Sequence, residues 1–153
     1  MTNEEYKEIE EFDKLKTKVL KYVLYKKRTE QEVRQKFTEN TGNLLDNVIE
    51  YLKQENYIND TSYIEKSVNE IQRLKNLSIK EVKYKLLAKG LSSKLVDEYI
   101  YNHKEEMLEY EINSAKNILV KKSNTMKQEE IISYLMKKGY MQETIRIIGE
   151  DYE

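Results

Sequence analysis

Glu32, Glu81 and Glu130 follow one another at intervals of 49 residues, and each lies in the same short pattern. The first copy reads Thr29-x-x-Glu32-Val33-Arg34-x-Lys36-Phe37, and the second Ser78-x-x-Glu81-Val82-Lys83-x-Lys85-Leu86. The third reads Glu130-Ile131-Ile132-x-Tyr134-Leu135. Downstream, Lys89-Gly90-Leu91 matches Lys138-Gly139-Tyr140 at the same interval, and the first copy has Thr41-Gly42 there with its glycine one position later. A repeat of this length marks tandem supersecondary units, and a chain of 153 residues has room for three.

The units read as helical. The chain has no proline and glycine only at 42, 90, 139 and 149, so few residues oppose helix. In the first unit Leu15, Val19, Leu20, Val23 and Leu24 fall at helical spacing. Thr29 with Glu32 forms a capping box, in which hydroxyl and carboxylate satisfy free N–H groups at a helix start. Val33 and Phe37 give the buried side of that second helix, and Asn40-Thr41-Gly42-Asn43 ends it. Leu44, Leu45, Val48, Ile49 and Leu52 line a third helix, and Asn56 to Asp60 connect onward with Asp60 as the next N-cap.

The second unit follows the same plan. Tyr63, Ile64, Val68, Ile71 and Leu74 lead to the box Ser78/Glu81, then Val82, Leu86, the stop at Gly90, and Leu95, Val96, Tyr99 and Ile100. In the third, Ile112, Ala115, Ile118 and Leu119 lead to Thr125 with Gln128, then Ile131, Ile132, Leu135, Met136 and Gly139. A short, frayed helix from about 142 to 148 closes it. The expected fold is all-α: three tandem three-helix repeats in an elongated, curved array. Its parts are an acidic N-terminal extension over 1–13 and repeats over 14–60, 61–108 and 109–153.

The residue inventory removes most chemistry. Without cysteine there is no disulfide, thiolate nucleophile or Cys-ligated zinc. His103 is the only histidine, which excludes a multi-histidine metal site, and its setting reads as an exposed helix end. The capping role explains Glu32 and Glu81 better than catalysis does, and Gly90 and Gly139 are helix stops rather than phosphate loops. Charges interrupt every apolar run of membrane-spanning length, and Met1 to Glu11 lacks a signal core. The expectation is a cytoplasmic protein that is not an enzyme, needs no cofactor and touches no membrane.

Charge is segregated behind a net value of −1. Residues 1–13 carry six acids against one base, residues 14–36 nine bases against two acids, and residues 73–94 seven bases against one. Arg34 and Lys36 in the first unit correspond to Lys83 and Lys85 in the second, while the third has Ile132 and Tyr134 there. A basic stripe suits a phosphate backbone or an acidic protein surface. A solvated helix face explains the spacing equally well. Thirteen tyrosines accompany two phenylalanines and no tryptophan, so most are expected to supply core bulk, with Tyr25 and Tyr84 exposed.

Three segments together resemble a known family. Arg28-Thr29-x-x-Glu32-Val33-x-x-Lys36-Phe37 is similar to the Arg-Ser-x-x-Glu-Leu-x-x-Lys-Leu motif of RecX-family regulatory proteins. Asn56-Tyr57-Ile58-Asn59-Asp60-x-x-Tyr63-Ile64 resembles their Gly-Tyr-Leu-Asp-Asp-x-x-Phe-Ala connector, with Asn59 and Ile64 as departures. Glu81-Val82-x-x-Lys85-Leu86-x-x-Lys89-Gly90-Leu91 resembles their Glu-Leu-x-x-Lys-Gly-Ile segment. The resemblance implies a monomeric regulator in DNA repair, the SOS response and homologous recombination. It would bind the RecA recombinase filament on single-stranded DNA and inhibit ATP hydrolysis, strand exchange and coprotease activity. The alternative is a general nucleic-acid-binding helical repeat protein. The implied contacts to filament or DNA are Arg28, Arg34, Lys36, Arg73, Lys83, Lys85 and Lys89.

Overall fold

The computed structural model describes residues 1–39 and 42–151. Among these are nine α-helices and no strand: α1 (Asn3–Tyr25), α2 (Glu30–Lys36), α3 (Asn43–Gln54), α4 (Asp60–Leu74), α5 (Ile79–Ala88), α6 (Ser93–Asn102), α7 (Lys104–Lys122), α8 (Gln128–Lys137) and α9 (Gln142–Asp151). They form two compact units. One is Met1–Tyr63 with Lys89–Leu91, and the other Ile64–Ala88 with Ser92–Glu153.

In the first unit, Leu15, Val19 and Val23 of α1 meet Val33 of α2, Leu45, Val48, Ile49 and Leu52 of α3, and Ile58. Leu24, placed on the apolar side by periodicity, is exposed. The acids of residues 4–13 form the first turns of α1, whose cap is the Thr2 hydroxyl accepting from Glu5 N at 3.2 Å. Helix α2 has only seven residues. Isolated helices shorter than about 12–15 residues are marginal in water, so α2 depends on what holds its ends. Thr29 is fully buried there. Its hydroxyl accepts from Glu32 N at 3.1 Å and donates to the Lys89 carbonyl at 2.7 Å, while Glu32 accepts from Thr29 N at 3.0 Å.

Asp60 departs from the N-cap role expected of it. The cap of α4 is Asn59, whose side-chain oxygen accepts from Ser62 N at 3.0 Å. Asp60 reaches back instead and accepts from Glu30 N at 3.0 Å, supplying a second carboxylate to the start of α2. The connector turns at Asn56 (φ 64°), and Tyr57 N and Ile58 N both donate to the Leu52 carbonyl, which closes α3. Of the expected stop after α2, Asn40 and Thr41 lie outside the described residues, and Gly42 stands before α3 with φ 93°.

The second unit repeats the joint. Buried Ser78 accepts from Glu81 N at 3.0 Å and donates to the Lys138 carbonyl at 2.7 Å, while Glu81 accepts from Ser78 N at 3.1 Å. Ala115, Leu119, Ile131, Leu135, Tyr140 and Ile148 form a core cluster around α7, α8 and α9. Glu111 of α7 is fully buried. It accepts from Met141 N at 3.1 Å and from the Thr144 hydroxyl at 3.0 Å, and also from Ile79 N. One carboxylate thus ties the first turns of α5 and α9 to α7. Burial raises its pKa above the usual carboxylate value, although these three donors oppose the shift. Beside it the Ser114 and Tyr140 hydroxyls share a hydrogen bond at 2.6 Å, and burial raises the Tyr140 pKa.

Three local expectations are corrected here. Thr125 does not cap α8; its hydroxyl donates to the Lys122 carbonyl at 3.4 Å, and the cap residue is Lys127, whose N–H donates to Glu130 at 3.4 Å. The third 49-spaced glutamate therefore serves its helix start as the other two do. Helix α9 is no frayed stub, being ten residues long with Thr144 and Ile148 buried. Most tyrosines are not core: among the described ones only Tyr140 is buried, and Tyr6, Tyr25, Tyr51, Tyr57, Tyr84 and Tyr101 are exposed. A buried phenol needs a partner for its hydroxyl, and aliphatic side chains fill the core without that demand.

Two glycines complete the joints. Gly90 has φ 86° and Gly139 φ 92°. A Cβ on Gly90 would lie 2.5 Å from Gln31 Cβ, and one on Gly139 would lie 2.8 Å from Lys80 Cδ. The first obstacle is the root of a side chain and the second is a flexible stem. Gly90→Ala is expected to cost about 2–4 kcal/mol, combining left-handed backbone strain with overpacking. Gly139→Ala is expected to cost about 1–2 kcal/mol. Urea unfolding of both variants checks the order, and equal losses would contradict it. Glu111 gives a pH signature. Its folded-state pKa is raised, so its stabilising contribution is complete below the unfolded value of about 4.3 and is lost as pH rises through the folded value. Glu111→Gln should lose less stability than the parent between pH 5 and pH 8 in the same measurement.

Candidate interaction surface

The cations singled out in the sequence fall into two groups. Arg34 and Lys83 bind acids of the following helix. Arg34 Nη1 lies 2.6 Å from Asp46 of α3 and its Nε 3.1 Å from Glu30, while Lys83 Nζ lies 2.7 Å from Asp97 of α6. Lys53 adds a further pair with Glu30 at 3.1 Å. Burial opposes ionisation of Glu30, but Lys53 and Arg34 outweigh it and hold the carboxyl below the usual range. Asp46, with Glu30, raises the pKa of the Arg34 guanidinium. These pairs fasten α2 to α3 and α5 to α6, and they consume part of the expected basic stripe.

The remaining cations lie over aromatic rings or have exposed side chains. The Arg28 guanidinium carbon lies 4.1 Å from the centre of the Tyr22 ring, and Lys36 Nζ lies 5.9 Å from the same ring. Tyr22 is itself fixed edge-to-face on Phe37, with centroids 5.7 Å apart. Arg28 Nε is buried without a hydrogen-bond partner, and the contact with the Tyr22 ring is an attraction that offsets part of that cost. Arg73, Lys85 and Lys89 have exposed side chains. The carbonyl of Lys89 is the one pinned by Thr29, which fixes where its side chain leaves the backbone.

Sequence reasoning missed how consistently lysine is set over aromatic rings. Lys16 lies 5.1 Å from the Tyr51 ring centre, Lys80 5.9 Å from Tyr84, and Lys104 5.1 Å from Tyr101. Tyr134 has two such neighbours, Lys122 at 4.4 Å and Lys138 at 5.5 Å. The signal available was tyrosine three or four residues from lysine on one helix face, as in Lys80 and Tyr84. His103 is half-buried between α6 and α7 rather than exposed; it stacks on Tyr99 with centroids 4.0 Å apart, and its Nδ1 lies 2.8 Å from the Tyr99 carbonyl. Among the described residues no group of three or more His, Asp or Glu is placed to hold a metal ion, and no helix is long and apolar enough to cross a membrane.

The fold and this surface define an all-helical protein that presents basic side chains on aromatic rings. The chain is 32% identical over 151 residues to the regulatory protein RecX of Clostridium perfringens strain SM101, covering 90% of this chain and 69% of that protein. It is 32% identical over 144 residues to the regulatory protein RecX of Clostridium beijerinckii, covering 87% and 65%. Among solved structures, RecX from Lactobacillus salivarius superposes with a TM-score of 0.78 at 21% identity, covering 94% of this chain and 97% of that one. A second regulatory protein RecX gives a TM-score of 0.77 at 18% identity, covering 91% and 73%. No protein-family model matches the chain. The chain belongs to the RecX family of regulatory proteins. It spans between 49% and 69% of the length of the curated relatives it matches.

The Glu30 pairs generate a stability prediction. A lowered folded-state pKa means that the contribution is present above the unfolded value of about 4.3 and disappears as pH falls through the folded value. Glu30→Gln should lower stability by about 0.5–1 kcal/mol at pH 7 and approach the parent at pH 3. Arg73→Gln, at an exposed position, should stay within about 0.5 kcal/mol of the parent. Urea midpoints at the two pH values decide between this and a purely solvated role for the pairs.

Proposed function

We propose that the chain is a non-enzymatic, cytoplasmic regulator that binds the RecA filament on single-stranded DNA and inhibits its ATPase, strand-exchange and coprotease activities. The observation that carries this reading is the match across 90% of the chain to a curated regulatory protein RecX. The joints at Thr29 and Ser78, repeated at 49 residues, support an arrangement of three tandem three-helix repeats over residues 14–60, 61–108 and 109–153. The helices themselves start elsewhere: α1 at Asn3 and α7 at Lys104. The regulator acts as a monomer without a cofactor, and its role lies in recombination, DNA repair and the SOS response.

The proposed contacts are Arg28, Arg34, Lys36, Arg73, Lys83, Lys85 and Lys89. Within this set Arg34 and Lys83 act chiefly by shaping the surface, since each already has an acidic partner. Arg28, Lys36, Arg73 and Lys89 are the better direct contacts to DNA phosphates or RecA acids. A second reading, general binding of nucleic acid, is favoured by the lysines placed over aromatic rings.

The deciding experiment is single-stranded-DNA-dependent ATP hydrolysis by a cognate RecA. Suppression is expected at fewer than one molecule of this chain per RecA. The double variant Lys36→Glu with Lys89→Glu should lose the suppression while keeping its helicity by circular dichroism. No suppression by the parent up to equimolar ratio would transfer the weight to general nucleic-acid binding.

A further inference from the structure

In the third copy of the repeat the sequence offers no basic pair on its second helix, since Ile132 and Tyr134 replace the cations. The structure nevertheless gathers two ammonium groups there. Lys122, in the last turn of α7, and Lys138, at the end of α8, both lie over the ring of Tyr134. Their distances to its centre, 4.4 and 5.5 Å, keep the two nitrogens within about 10 Å of each other. Among the described residues no carboxylate pairs with either. The parts are fixed from below: the ring is half-buried against the core cluster, and the Lys138 carbonyl is pinned by Ser78 at 2.7 Å. Lys122, Tyr134 and Lys138 stand 49 residues after Arg73, Lys85 and Lys89, so the same positions of the repeat are basic in both copies, with one cation exchanged for a ring.

We propose that Lys122, Tyr134 and Lys138 form a binding site for the phosphate backbone of single-stranded nucleic acid. Two like charges held together without an acid attract an anion that can bridge them. Lysine is a compact point charge with three donors, which suits phosphate oxygens. A phenol ring in contact with two such charges matches a strand that offers phosphates and base faces in alternation. The proposal deepens the filament reading, and it rests on that reading's premise that the chain meets single-stranded DNA.

The test uses the full chain and a fluorescently labelled oligothymidine, with affinity read by anisotropy across a salt series. Each phosphate contact to a single strand contributes about 0.7 to the slope of log affinity against log salt. The double variant Lys122→Gln with Lys138→Gln should reduce that slope by about 1.4 and weaken binding at low salt, with unchanged circular dichroism. Tyr134→Leu should weaken binding while leaving the slope nearer the parent's. An unchanged slope in the lysine variant, or a parent chain that binds no oligothymidine at low salt, would overturn the site. The same variants in the RecA ATPase assay separate the two readings. Loss of suppression with unchanged oligothymidine binding would assign the lysines to an acidic protein surface and reject the site as drawn. Reduced slope in a chain that never suppresses RecA would keep the site and remove the filament reading.

Discussion

The rest of the molecule depends on one kind of hydroxyl, buried at the start of a second helix. Thr29 and Ser78 each accept one hydrogen bond from their own helix and donate one to a lysine carbonyl 60 residues further on. The group closes a short helix start and satisfies a carbonyl at a helix end in a single step. An unmatched buried polar group costs about 1–3 kcal/mol, so neither half of the bond is dispensable. The glycine after each lysine follows from the same geometry. The chain must turn through positive φ directly against the neighbouring helix start, and at Gly90 there is no space for a Cβ. Hydroxyl, glutamate, lysine carbonyl and glycine form one device, which explains why all recur at the same interval.

That device is what made the fold readable. Capping boxes and glycine stops are local, and local chemistry survives in almost any context. The connector was harder. Asn59 and Asp60 are both good caps, and only the return of the chain toward α2 decides that Asn59 serves α4 while Asp60 serves Glu30 N. At α8, Thr125 and Lys127 competed in the same way. The more favourable cap lost, because the Thr125 hydroxyl turned to the end of α7. The tyrosines misled for a different reason. Ring bulk favours the core, but a phenol hydroxyl needs a partner, and rings such as Tyr84 and Tyr101 stand exposed.

The surface was legible in composition and not in partnership. Arg34 is drawn to Asp46, twelve residues on, and Lys83 to Asp97, fourteen residues on; neither spacing belongs to one helix. A charge count over residues 14–36 or 73–94 therefore overstates the free positive charge. It also misses charge that is available. Lys122 and Lys138 are too far apart in sequence to be read as a pair, yet one ring brings them together.

A chain of net charge −1 has little overall field with which to draw an anionic partner. Attraction must come from cations set in small groups, where local potential exceeds the molecular average. Aromatic rings provide a means of setting them. A lysine or arginine over a ring keeps its charge and its donors while losing part of its rotamer freedom before a partner arrives. Ion-paired cations such as Arg34 cannot do this, because an acid already neutralises them. The helical scaffold therefore uses its cations in two ways. Those with acids on the next helix fasten neighbouring helices, and others rest over aromatic rings, so cations that look alike in sequence have different partners in the fold.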